Sequence, residues 1–192
     1  MADVVNDKLG EAAETLCLPH LKTVAATQRV GRCLGAVLKP GDVLGLDGPL
    51  GAGKTSLVQG LARGLGVPPE VAVGSPTFTL VNQYGGQLGG QPGPVAVPMT
   101  LYHVDLYRLK SAQELAELGL WEAAESGGVM AVEWLSRFPQ ALPADRLELT
   151  LDILPQGGRS LVLRACGPRS AARLTALRLA LPKSTVVGRR TP

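Results

Sequence analysis

Asp42-Val43-Leu44-Gly45-Leu46-Asp47, followed by Gly48-Pro49-Leu50-Gly51-Ala52-Gly53-Lys54-Thr55 and then by Ser56 through Gly66, is the stretch whose reading decides the fold. Its first part reads as a short buried strand. Its last part has helical spacing and stops at Gly66, with Pro68-Pro69 just beyond. Between them lies the pattern Gly-x-x-x-x-Gly-Lys-Thr, a phosphate loop of the Walker A type. Gly48 and Gly53 permit backbone angles and a close anion approach that a Cβ would obstruct, and the helix opening near Lys54 points its positive dipole end at the same place. The amides of Gly51, Ala52, Gly53, Lys54, Thr55 and Ser56 are the expected cradle for phosphate oxygens, Lys54 adds a mobile point charge, and the Thr55 hydroxyl is placed to ligate Mg²⁺. The stretch therefore predicts binding of a nucleoside triphosphate.

Upstream, Thr15-Leu16-Cys17-Leu18 is a short apolar stretch, and Thr23 is the candidate N-cap of a helix over about Val24 to Leu38, closed by Lys39-Pro40-Gly41. Downstream, Ser75-Pro76-Thr77 opens a β-prone run, Phe78 to Tyr84. That run breaks into a Gly/Pro-rich segment, Gly85 to Pro98, expected to be a mobile hairpin tip. Strand character resumes from Thr100 to Leu106. Ser111-Ala112-Gln113-Glu114 has the form of a capping box for a helix to about Leu118, and Gly128 to Val132 is an apolar strand that delivers Glu133-Trp134. Strands near Arg146–Leu154 and Ser160–Ala165, joined through Gln156-Gly157-Gly158, read as an antiparallel hairpin. An amphipathic helix from about Arg169 to Leu181 ends at Pro182, and the tail beyond is expected to be disordered. This order predicts an α/β fold: a P-loop NTPase-like three-layer sandwich, with a mixed sheet, helices on both faces and a terminal β-hairpin. The nucleotide is expected at the carboxyl edge of the parallel strands. One P-loop domain over residues 1–168, with a basic helix and tail over 169–192, is the expected organisation.

At 192 residues the chain suits a single domain, and 24 Gly, 15 Pro and only 4% aromatic residues fit tight turns and an insertion. Three cysteines, Cys17, Cys33 and Cys166, form neither a disulfide framework nor a zinc pattern, and no apolar run approaches bilayer length; a cytoplasmic protein is expected. The net charge of +3 hides an asymmetry: every acidic residue lies at or before Asp152, while Arg159, Arg164, Arg169, Arg173, Arg178, Lys183, Arg189 and Arg190 follow. Such an end suits RNA or an acidic partner, and equally a solvated helix face with a frayed tail; aromatic residues, which would favour RNA, are absent after Phe138.

Phosphoryl chemistry needs Mg²⁺ and a carboxylate to hold it at the end of a strand beside the loop. Glu133, after Val129-Met130-Ala131-Val132, and Asp105, after Leu101-Tyr102-His103-Val104, are the candidates: one to hold the metal, the other to orient or deprotonate water. Each has a plainer role open to it, as a cap or a partner of Arg108. Ser75 to Thr79 stands where phosphate-loop proteins place a hydroxyl-bearing switch. His103 reads as a packed strand residue, and Trp134 either stacks on a base or fills the core.

Gly-Pro-Leu-Gly-Ala-Gly-Lys-Thr-Ser (48–56), Ser-Pro-Thr-Phe-Thr-Leu-Val-Asn-Gln-Tyr (75–84), His-Val-Asp-Leu-Tyr-Arg-Leu (103–109) and Val-Glu-Trp (132–134) together resemble the TsaE family, the small ATPases of bacterial tRNA threonylcarbamoyladenosine synthesis. The resemblance implies an ATP- and Mg²⁺-dependent ATPase that works with TsaD and TsaB and meets tRNA indirectly, through their complex and away from membranes. It implies Thr55 and Glu133 as metal positions, Gly51 to Thr55 as phosphate contacts, Asp105 as a residue needed for hydrolysis, Thr27 as a nucleotide contact, and Ser75 to Tyr84 as a switch. The chain departs from the family's pattern at Pro49 and Gln83, where acidic residues are usual and a position near the phosphates is expected, and in the Gly85 to Pro98 insertion. A slow, partner-activated ATPase is the leading expectation. A small-molecule kinase would need an arginine-bearing lid, and the insertion has no arginine; a noncatalytic ATP-dependent scaffold is the third reading. An Asn-Lys-x-Asp guanine-reading block is absent.

Overall fold

A computed structural model of the chain describes residues 14–87, 98–119, 122 and 127–182. The elements are β1 (Thr15–Leu21), α1 (Val24–Val37), β2 (Val43–Asp47), α2 (Lys54–Gly64), β3 (Val81–Gln87), β4 (Pro98–Asp105), α3 (Ala112–Glu117), β5 (Gly128–Glu133), β6 (Leu147–Ile153), β7 (Arg159–Ala165) and α4 (Pro168–Ala180). The strands form one mixed sheet in the order β1-β7-β6-β2-β5-β4-β3. Its centre, β6-β2-β5-β4, is parallel, while β3, β7 and β1 add antiparallel edges. A parallel centre needs apolar side chains on both faces, and β5 is buried at every position. Its alternation separates two cores. Val129 and Ala131 join the larger cluster with residues of α1, α2 and α4, whereas Met130 and Val132 join the smaller one with Leu106, Leu115, Leu135 and Leu142.

Helices α1 and α2 meet along a seam of glycines. A Cβ on Gly31 would lie 2.2 Å from the Leu57 carbonyl oxygen, on Gly35 2.3 Å from that of Leu61, on Gly60 2.1 Å from that of Gln28 and on Gly64 2.2 Å from that of Arg32. Backbones this close fix where α1 stands relative to the phosphate loop at the start of α2. Thr23 caps α1 as expected, its Oγ1 accepting from the Ala26 amide at 3.1 Å. The Ser111 hydroxyl accepts from the Glu114 amide at 3.2 Å, but the Glu114 carboxylate accepts from the Lys110 amide, one residue beyond the Ser111 amide that a full capping box uses.

Three readings are corrected. The apolar stretch at Thr15 extends to Leu21 as an edge strand, with a register shift between Leu18 and Leu21; Pro19 is tolerated there because an edge strand leaves amides unpaired. The run from Phe78 is not strand from its start: residues 77–80 form a turn with Leu80 at φ 64°, and β3 begins at Val81. Gly85 and Gly86 do not break that strand. They pair with Thr100 and Met99, and Gly86 lies so near α2 that a Cβ would stand 2.3 Å from the Leu65 carbonyl oxygen. Residues 88–97 of the expected hairpin tip, and the tail from 183, lie outside the described residues. No helix among the described residues is long and apolar enough to cross a membrane.

Candidate functional site

The loop leaves the carboxyl end of β2 and enters α2, beside the ends of β5 and β4. Gly48 (φ 139°), Gly51 (φ 80°) and Gly53 (φ 102°) hold conformations that L side chains rarely adopt, and a Cβ on Gly48 would meet the Leu151 carbonyl oxygen at 2.2 Å. The amides of Gly53, Lys54, Thr55 and Ser56 have no hydrogen-bond partner among the described residues, as expected of a helix N-terminus open to an anion. The loop forms one wall of a cavity of about 380 Å³. Thr27, Gly51, Gly53, Lys54, Thr55, Ser56, Asp105, Glu133 and Trp134 line it, so the expected site residues converge with one exception. Ala52 is fully buried and does not line the cavity: its amide donates to the Pro49 carbonyl at 3.1 Å.

Lys54 folds back on its own loop. Its Nζ donates to the carbonyls of Gly48 at 2.7 Å and Pro49 at 3.2 Å, and lies 3.9 Å from the centre of the Trp134 ring. Burial lowers its pKa, an effect opposed by the carboxylates of Glu133, Asp105 and Asp47. Trp134, at φ 65°, has its ring against Tyr107 as well, with centroids 5.1 Å apart.

Glu133 and Asp105 are register partners at the ends of β5 and β4, and both are buried. Glu133 Oε1 accepts from the Thr55 hydroxyl at 2.9 Å and lies 2.9 Å from His103 Nε2. His103 is thus the buried strand residue that its surroundings suggested, and it also touches a site carboxylate; its Nδ1 has no hydrogen-bond partner among the described residues. Asp105 Oδ2 accepts from Thr77 Oγ1 at 2.7 Å and Ser75 Oγ at 3.3 Å, and Oδ1 accepts from the Tyr107 amide at 2.9 Å. It therefore caps the turn Leu106–Arg108 and ties the Ser75–Thr77 segment to the cavity, while Arg108 lies over Phe78 instead. Thr27 Oγ1 is buried at the cavity wall with no hydrogen-bond partner among the described residues. Gln83, expected near the phosphates, is exposed on β3 and does not line the cavity; Pro49 contributes its carbonyl oxygen to Lys54.

The family model described as "Threonylcarbamoyl adenosine biosynthesis protein TsaE" matches residues 21–161. The chain belongs to the TsaE family. A tRNA threonylcarbamoyladenosine biosynthesis protein TsaE of Treponema pallidum is 39% identical over 137 residues, covering 71% of this chain and 92% of that protein. TsaE of Bacillus subtilis is 36% identical over 143 residues, covering 74% and 82%. The crystal structure of the Bacillus protein YdiB superposes with a TM-score of 0.69 at 30% identity, covering 88% of this chain and 97% of that one. The fold of this TsaE-family chain also brings in residues that sequence reasoning missed. Arg159, from the start of β7, donates to the loop carbonyls of Ala52 at 3.2 Å and Gly51 at 3.1 Å, and Asp47 Oδ1 accepts from the amide and hydroxyl of Ser136 at 3.1 and 2.9 Å. Spacing along the chain carries no signal for either contact.

Proposed function

We propose that the chain is a P-loop NTPase-like, three-layer ATPase that acts in threonylcarbamoyladenosine modification of tRNA together with TsaD and TsaB, with tRNA engaged through that complex. The observation that carries the catalytic part is the hydrogen bond from Thr55 to Glu133, beside loop amides left open to an anion. A hydroxyl and a carboxylate are hard oxygen donors, and so few protein ligands suit Mg²⁺, which keeps water and phosphate oxygens in its shell. Thr55 and Glu133 are the residues that would hold it; when bound, the ion neutralises charge on the transferring phosphoryl group.

The remaining work falls to the chain itself. Lys54 exchanges the Gly48 and Pro49 carbonyls for phosphate oxygens, and the desolvation that lowers its pKa is then offset by ATP's negative charge. Asp105, held by Thr77, Ser75 and the Tyr107 amide, orients the attacking water or receives its proton. Because the Ser75–Thr77 hydroxyls rest on Asp105, a change at the γ-phosphate reaches the surface around Phe78, which is 83% exposed. Different affinities of the ATP and ADP forms for TsaD and TsaB would turn hydrolysis into assembly and release. Titration with Mg²⁺-ATP tests the reading: the wild type binds, Lys54→Ala loses affinity, and Glu133→Ala loses phosphate release. Equal binding by the lysine variant would contradict it.

A further inference from the structure

Within the phosphate loop, Lys54 holds the Gly48 and Pro49 carbonyls, whereas those of Gly51 and Ala52 are held by a side chain from outside the loop. That side chain is Arg159, from across the sheet. It is the first residue of β7, it lines the cavity, and its Nε and Nη2 donate to two successive carbonyls, Ala52 at 3.2 Å and Gly51 at 3.1 Å. The peptide bonds are trans, so a carbonyl fixed toward Arg159 turns the next amide to the opposite side. After Ala52 that amide is Gly53 N–H, which has no partner among the described residues. The amide after Gly51 is Ala52 N–H, already held by Pro49. Gly53 therefore carries the loop amide that is both free and steered by the guanidinium.

We propose that Arg159 is the positioning residue of the phosphate loop, holding the Gly51 and Ala52 carbonyls so that the Gly53 amide stays turned toward a bound phosphate, and so linking the β6–β7 hairpin to nucleotide affinity. The inference rests on the ATP reading above. A planar fork with fixed donor directions spans two adjacent carbonyls, which an ammonium on a flexible stem does not. An amide donor serves the phosphate chain whether or not a γ-phosphate is present, so the effect falls on ADP and ATP alike. Direct contact between Arg159 and the γ-phosphate would instead weaken ATP alone.

The experiment measures affinities for fluorescent ADP and ATP, with thermal unfolding alongside, for the full chain and for Arg159→Lys, Arg159→Gln and Arg159→Ala. Both affinities should fall by a common factor, about tenfold or more in Arg159→Ala, from loss of two charge-assisted bonds. Arg159→Lys should restore little of it, methylguanidine should partly rescue Arg159→Ala, and the Gly53 amide resonance of the ADP complex should shift in Arg159→Lys and Arg159→Gln. Unchanged affinities in all three variants, or weakening confined to ATP, would overturn the inference while leaving nucleotide binding intact. Failure of the wild type to bind either nucleotide would remove the ATP reading itself.

Discussion

Lys54 is a charged group at 5% exposure, held by loop carbonyls and lying against an aromatic ring. Its folded pKa lies below the ordinary 10.5 because burial disfavours the ammonium. A group of that kind is a liability at neutral pH: between the folded and unfolded values the unfolded chain binds more protons, so stability rises with pH until the unfolded value is passed. Lys54→Met should flatten this alkaline rise in the denaturation midpoint and remove the stabilisation that Mg²⁺-ATP gives the wild type; a rise as steep in the variant would mean that another group titrates there. Asp105→Asn keeps the cap on Tyr107 but weakens the water-orienting carboxylate. Hydrolysis should fall about a hundredfold with ATP affinity nearly unchanged, as read by phosphate release and equilibrium titration. The phosphate loop, Glu133 and Asp105 were legible as candidates because a local pattern and the end of an apolar run are properties of neighbouring residues. The buried contact of His103 with Glu133 and the grip of Arg159 on the loop were not, since each depends on which strands lie side by side.

Among the elements, those with a clear period or cap matched their expected bounds closely: β2, α1, α2, β5, the β6–β7 hairpin and α4. The misread ones are those whose conformation is set from outside. Residues 77–80 carry β-prone side chains, yet Asp105 draws the Ser75 and Thr77 hydroxyls together and a turn results. Strand β3 keeps Gly86 because the Leu65 carbonyl at the end of α2 leaves no room for a Cβ there, a contact that composition registers only as a loop signal. The α1–α2 seam has the same origin. Gly60→Ala would place a methyl group 2.1 Å from the Gln28 carbonyl oxygen and should destabilise the fold by about 1–3 kcal/mol, seen as a lower denaturation midpoint. Since α1 also carries Thr27 to the cavity wall, nucleotide affinity should fall with it. A midpoint equal to wild type would show that the helices separate freely.

In the whole molecule, α4 is tied into the main core although it follows the last strand. Leu174 and Leu177 are fully buried in the larger cluster, and Arg173 Nε donates to Asp42 Oδ2 at 2.6 Å. Leu174→Ala should cost about 2–5 kcal/mol and lower one common transition rather than detach a separate unit. Calorimetry and near-ultraviolet circular dichroism giving two separate transitions would argue that the helix folds apart. The basic excess after Asp152 is partly paired, since Arg164 meets Glu148, Arg173 meets Asp42 and Arg178 meets Glu14. Charge counting along the chain could not show that pairing, because the acids lie on other elements.

Hydrolysis of ATP in this cavity, on behalf of a larger assembly, is the proposal on which the other roles depend. The measurement that tests it most directly is the rate of phosphate release by the purified chain alone and with TsaD, TsaB and tRNA, for the wild type, Lys54→Ala and Glu133→Ala. Slow hydrolysis alone, stimulation by the partners, and loss of that stimulated rate in both variants are expected. Hydrolysis indifferent to the partners, or phosphate appearing on a small molecule, would contradict the proposal.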